Sequence, residues 1–85
     1  MERITGPHHG FYIASYASEN APAEGYLGYA KICRRRPESY WDANCLVKMC
    51  GEGLHGDPSH ALEEAQQRAI EQLRSIAPTG ETAFA

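Results

Sequence analysis

The sequence predicts an α+β fold, a three-stranded antiparallel β-meander with one C-terminal helix packed on one face (β-β-β-α). Three observations carry it. Residues 57–77 have an amphipathic helical pattern, the least ambiguous in the chain. Three runs before them are rich in aromatic and β-branched residues. The connections between those runs are short and polar, which favours antiparallel neighbours.

Residues 1–9, MERITGPHH, read as a flexible N-terminal arm. A short strand could start at Met1–Ile4, but Gly6-Pro7 interrupts it, and His8-His9 is expected in solvent. Residues 10–17, GFYIASYA, read as the first strand. Residues 18–24, with Pro22, form a polar connection. Residues 25–34, GYLGYAKICR, read as the second strand, and residues 35–39, RRPES, as a hairpin loop. Residues 40–50, YWDANCLVKMC, read as the third strand. The glycine-rich stretch 51–56 leads to the helix, and residues 78–85 are expected to be a disordered tail. The single domain therefore spans residues 10–77.

The helix has a marked start. Asp57 can cap it, and Pro58 suits the first helical position, where no N–H is required. Leu62, Ala65, Ala69, Leu73 and Ile76 share one arc, with Ile70 and Ala77 at its margin. Gln66 is the polar residue within that arc. Glu63, Glu64, Gln67, Glu71 and Arg74 lie on the other side, and Glu64 and Arg68 have the i, i+4 spacing of an ion pair. Pro78 and Gly80 end the helix.

Alternation assigns the sheet faces. Trp41, Ala43, Cys45, Val47 and Met49 fall on one side of the third strand. Gly28, Ala30 and Ile32 suit that side in the second, and Phe11 and Ile13 in the first. This is the expected helix side, where small residues permit close approach. The other side then carries Tyr12, Tyr16, Leu27, Tyr29, Tyr40 and Leu46, interrupted by Lys31, Lys48, Asp42 and Asn44. With one helix, nothing in the chain is left to cover these side chains. An apolar, aromatic patch of this kind marks a contact surface.

Composition narrows the function. Eighty-five residues make one small domain. No apolar run is long enough for a membrane helix, and residues 1–10 lack the apolar stretch of a secretory signal. Three cysteines, an odd number, favour reduced thiols in a cytoplasm. The net charge of −3 is uneven: residues 1–50 carry six Lys/Arg and five Asp/Glu, residues 51–85 two and six. This balance disfavours nucleic acid as the main partner.

Four constellations invite chemistry. Gly51-Glu52-Gly53-Leu54-His55-Gly56 has the G-x-G-x-x-G form, yet no parallel strand follows the helix, so no dinucleotide cofactor is expected. Cys45, Cys50, His55 and His60 recur every five residues. Cys50, His55 and His60 are an alternative zinc or thiol site, though the C-x2-C knuckle is missing. Cys50 with His55 near a helix start could act as nucleophile and base, but no orienting third residue accompanies them, so no enzyme is expected. Arg34, Arg35 and Arg36, with Lys31 and Lys48, could hold phosphates while bases stack on the tyrosines, the alternative nucleic-acid surface.

Residues 51–73, GEGLHGDPSHALEEAQQRAIEQL, resemble the C-terminal half of a double-stranded RNA-binding domain in their strand, glycine turn and alanine-rich helix. That resemblance implies the β-β-β-α topology. The family's lysine cluster at the helix start is replaced here by Pro58-Ser59-His60-Ala61, with Glu63-Glu64 after it. Gly56-Asp57-Pro58 followed by Ala61-Leu62-Glu63-Glu64-Ala65 resembles the turn and helix start of HicB-type antitoxins. Each covers less than a third of the chain, and neither assigns a family. The reading is a small, non-enzymatic, cytoplasmic interaction module that pairs with itself, or with another protein, through its aromatic sheet face. It needs no cofactor and contacts no membrane.

Overall fold

The fold was obtained as a computed structural model, which describes residues 1–21, 25–42 and 45–76. The elements are β1 (Glu2–His8), β2 (Phe11–Ala21), β3 (Gly25–Cys33), β4 (Cys45–Cys50) and α1 (Pro58–Ile76). The strands form one antiparallel sheet in the order β1-β2-β3-β4, and α1 lies over β2 and β3. The α+β class with a C-terminal helix stands, but the sheet has four strands where three were expected.

The additional strand, β1, comes from the stretch read as an arm. It pairs with β2 from Glu2↔Tyr16 to His8↔Phe11. His9 and Gly10 make the turn, both with positive φ (52° and 86°), as a two-residue type I′ hairpin turn requires. Gly6-Pro7 does not end the pairing. It coincides with a register shift between Thr5 and His8 on an edge strand, where proline is tolerated.

On β2 and β3 the helix side of the sheet follows the alternation, and on β4 Val47 and Met49 do, while Cys45, expected there too, pairs with Cys33 of the other face past a register shift. Ile13, Ala30 and Ile32 pack on Ala65, Ala69 and Leu73, with Phe11, Val47, Met49 and Ile70 at the margin. A second cluster joins Ala17 to Ala61 and Leu62, flanked by Tyr26. Gly28 and Ala30 let the helix backbone come close to the sheet, which is why the core is built largely from alanine.

The helix start is as expected. Asp57 Oδ1 accepts from Ser59 N–H at 2.9 Å, and the Asp57 carbonyl accepts from Ala61 N–H at 3.2 Å. Gln66 sits at the margin, half-buried, and its Oε1 accepts from Arg3 Nη1 of β1 at 3.0 Å. Glu64 and Arg68 do not use each other. Glu64 binds His55 at 2.8 Å and Arg68 binds Glu52 at 3.4 Å, so both tie the helix to residues 51–56. None of the described helices is long and apolar enough to cross a membrane. The expected tail, residues 78–85, lies outside the described residues.

Candidate functional site

The candidate site is the sheet face opposite α1. Register brings Tyr12, Tyr16, Leu27, Tyr29, Lys31 and Cys33 to this side, since their neighbours Ile13, Gly28, Ala30 and Ile32 point at the helix. Tyr16 and Tyr29 are cross-strand partners. Leu46 and Lys48 join them from β4, alternating with Val47 and Met49.

This face is not bare, contrary to the expectation that nothing remained to cover it. β4 begins at Cys45, so residues 40–42 are not in a strand. The chain leaves β3 after Cys33 and folds residues 34–42 back over the sheet. Tyr40 is 2% exposed there. Its backbone N–H donates to Glu2 Oε1 of β1 at 2.8 Å, and its carbonyl accepts from Lys31 Nζ at 2.9 Å. The Lys31 ammonium also stands 4.3 Å from the centre of the Tyr40 ring. Ala14 and Cys33, on the same face, are buried as well. Tyr40 is thus an inner residue of this face rather than part of its outer surface, because its ring and both backbone groups find partners within the chain.

Trp41 takes the outer position. It was expected under the helix and lies on the opposite side. Its indole meets Tyr16 edge-on at 4.9 Å and Tyr40 at 5.0 Å, while Tyr16 and Tyr40 stack at 5.5 Å. Yet Trp41 is 69% exposed, and Leu46 is 47% exposed. A shallow pocket of about 200 Å³ is lined by Tyr16, Ser18, Tyr29, Tyr40, Trp41 and Lys48. Sequence reasoning missed Trp41 because strand alternation was extended back through residues 40–44. Ser39 and Asp42, whose hydroxyl and N–H bond each other at 3.1 Å, were the available signal for a turn. Ala43 and Asn44, assigned to the same strand, lie outside the described residues.

Burial raises the Tyr40 hydroxyl above its ordinary value, and the neighbouring Cys45 and Tyr29 add to the shift. Burial likewise pushes the Cys33 thiol up, with Cys45 reinforcing and Lys31 opposing. Arg34, Arg35 and Arg36 are exposed and line a groove of about 540 Å³ that also holds Glu38 and Asp42. The five cations of the nucleic-acid alternative therefore divide. Lys31 is engaged by Tyr40, Lys48 borders the aromatic pocket, and the arginines share their groove with two carboxylates.

Cys50, His55 and His60 are not assembled. Among the described residues, no three His, Cys, Asp or Glu side chains are placed to hold a metal ion. His55 Nε2 faces Glu64 Oε1 at 2.8 Å, and a carboxylate can only accept, so Nε2 carries the proton. His60 and Cys50 are exposed. The G-x-G-x-x-G stretch also has an internal explanation. Glu64 accepts from Glu52 N–H at 3.2 Å, and a Cβ at Gly51 would lie 2.6 Å from Glu64 Oε1. The side chain that Gly51 admits is a carboxylate of the chain itself, whereas a Cβ at Gly53 or Gly56 would meet open space. His55 then exchanges backbone hydrogen bonds with Tyr26, at 2.7 and 2.9 Å. In comparisons with protein-family models, curated proteins and solved structures, nothing matches this chain.

Proposed function

We propose that this chain is a small non-enzymatic interaction module whose partner is a second copy of itself, docked on the sheet face that carries Trp41. The observation behind this reading is an indole 69% exposed yet fixed by the rings of Tyr16 and Tyr40. A large aromatic side chain already held in place loses little freedom on binding, and tryptophan is a common energetic anchor of interfaces. Leu46 extends the apolar area. A two-fold axis sets the same patch against its copy. The charges suit such an arrangement, because Arg34, Arg35 and Arg36 share one segment with Glu38 and Asp42. Each copy therefore offers both arginines and carboxylates to its partner. A reducing cytoplasm fits the odd number of cysteines, all three of which are free.

Sedimentation equilibrium at micromolar concentration tests the reading. Wild type is expected as a dimer and Trp41→Glu as a folded monomer with unchanged circular dichroism. A monomeric wild type removes the self-association reading. Nucleic acid is a second reading, favoured by Lys48 beside the open indole and by the exposed arginines of the other groove. It predicts nucleic acid co-purifying with wild type and lost from a triple Arg34, Arg35, Arg36→Ala variant. Glu38 and Asp42 among the arginines weigh against it.

A further inference from the structure

We infer that Cys33 and Cys45 are a reversible thiol–disulfide site that closes residues 34–44 into a loop. The two cysteines are register partners across the β3–β4 ladder, the last pair before β3 and β4 part, just beyond a register shift between Ile32 and Cys33 that brings Cys45 rather than Leu46 opposite Cys33. Residues directly opposite in an antiparallel ladder have Cα atoms roughly 4.5–5.5 Å apart. Disulfides span Cα separations of about 4.4–6.8 Å. A ladder pair is thus within the reach of a disulfide, and the bulge sets how far this one departs from regular spacing. Both thiols are free. The proximity of the two sulfurs also appears in the electrostatics, since a Cys45 thiolate disfavours ionisation of Cys33.

Exposure sets the order of events. Cys33 is 1% exposed and Cys45 is half-buried, so Cys45 is the thiol that a small reagent reaches first. With glutathione disulfide as oxidant, the Cys45 thiolate attacks one glutathione sulfur and expels the other as a thiolate. This leaves Cys45 bonded to glutathione. The Cys33 thiolate then attacks Cys45 Sγ, forms the Cys33–Cys45 bond and expels the second glutathione thiolate. The two protons lost by the cysteines are taken up by the two glutathione thiolates. The protein is oxidised by two electrons, and one glutathione disulfide is reduced to two thiols. Cys50, opposite Tyr29 in the ladder and exposed, is left out.

The segment enclosed carries Tyr40 and Trp41, so the bond ties down both ends of the strap that crosses the sheet. An effect on partner binding rests on the proposed contact surface, whereas formation of the bond does not. The test accordingly reads mass rather than assembly. Folded Cys50→Ser protein is incubated with glutathione disulfide, alkylated and analysed by intact mass and peptide mapping. The expected product has lost two hydrogens, takes up no alkylating reagent and yields a peptide joining residues 33 and 45. Added dithiothreitol restores both thiols. In wild type the same bond forms and Cys50 alone is alkylated or glutathionylated. Overturning results are a stable glutathione adduct on Cys45 with Cys33 free, two alkylated cysteines after prolonged oxidation, or a cross-link that forms only in denaturant.

Discussion

The backbone of α1 passes so close to Gly28 that a Cβ there would overlap the Ala61 carbonyl oxygen and lie 2.9 Å from Ala65 Cβ. Neither atom is the end of a flexible side chain. Gly28→Ala must therefore displace the helix or bend β3. The expected cost is about 1–3 kcal/mol in urea denaturation, the range of overpacked cores. An unchanged midpoint would mean that the helix stands further from the sheet.

Leu73 is fully buried on the same side, against Ile13, Ile32 and its neighbours. Leu73→Ala should destabilise by about 2–4 kcal/mol through lost burial and a residual cavity. Glu71 is exposed, and Glu71→Ala should change stability by less than about 0.5 kcal/mol. Thermal melts of the pair check the phase of the helix. Ser15 lies in the same buried layer, and its hydroxyl finds no partner among the described residues. Ser15→Ala is thus expected to leave stability unchanged or raise it by up to about 1 kcal/mol, since a partnerless hydroxyl no longer needs to be dehydrated.

Glu64 gives the fold an acid limit. The hydrogen bond from His55 is the main cause holding its carboxyl below the ordinary glutamate range. Burial opposes that, and the Glu52 N–H adds to it. A folded-state value below the unfolded value of about 4.3 means that the contribution is complete above that pH. It is lost as pH falls through the lower, folded value. The stability difference between wild type and Glu64→Gln should be constant near neutrality and shrink only below about pH 4. A difference that already shrinks well above about pH 4 would contradict this account.

The helix and both sheet faces of β2 and β3 were legible because local pattern decides them. Alternation through Phe11 and Ile13 and from Gly28 to Ile32, and the arc Leu62–Ala65–Ala69–Leu73, correspond to buried or half-buried positions. β1 was not legible from its run of apolar residues, which is short and broken by Gly6-Pro7. The readable signal was the His9-Gly10 turn beside a strong strand. The strap across the sheet was hidden for a different reason. Residues 40–50 alternate throughout, so the hydrophobic pattern alone does not separate the strand from its lead-in. The separation comes from contacts remote in sequence, Tyr40 with Glu2 and Tyr16. These same contacts turn Tyr40 inward and Trp41 outward, and so decide which ring is offered to a partner.

Trp41 is the only tryptophan in the chain, so its emission reports directly on that face. The most direct test is tryptophan fluorescence over a dilution series, followed alongside the solution mass. Paired faces remove the indole from water and move its emission to shorter wavelengths. The account predicts that this shift and the doubling of mass follow one concentration curve, and that Leu46→Glu displaces both together. A mass that doubles while Trp41 emission stays that of an exposed indole would place the interface elsewhere and contradict the account.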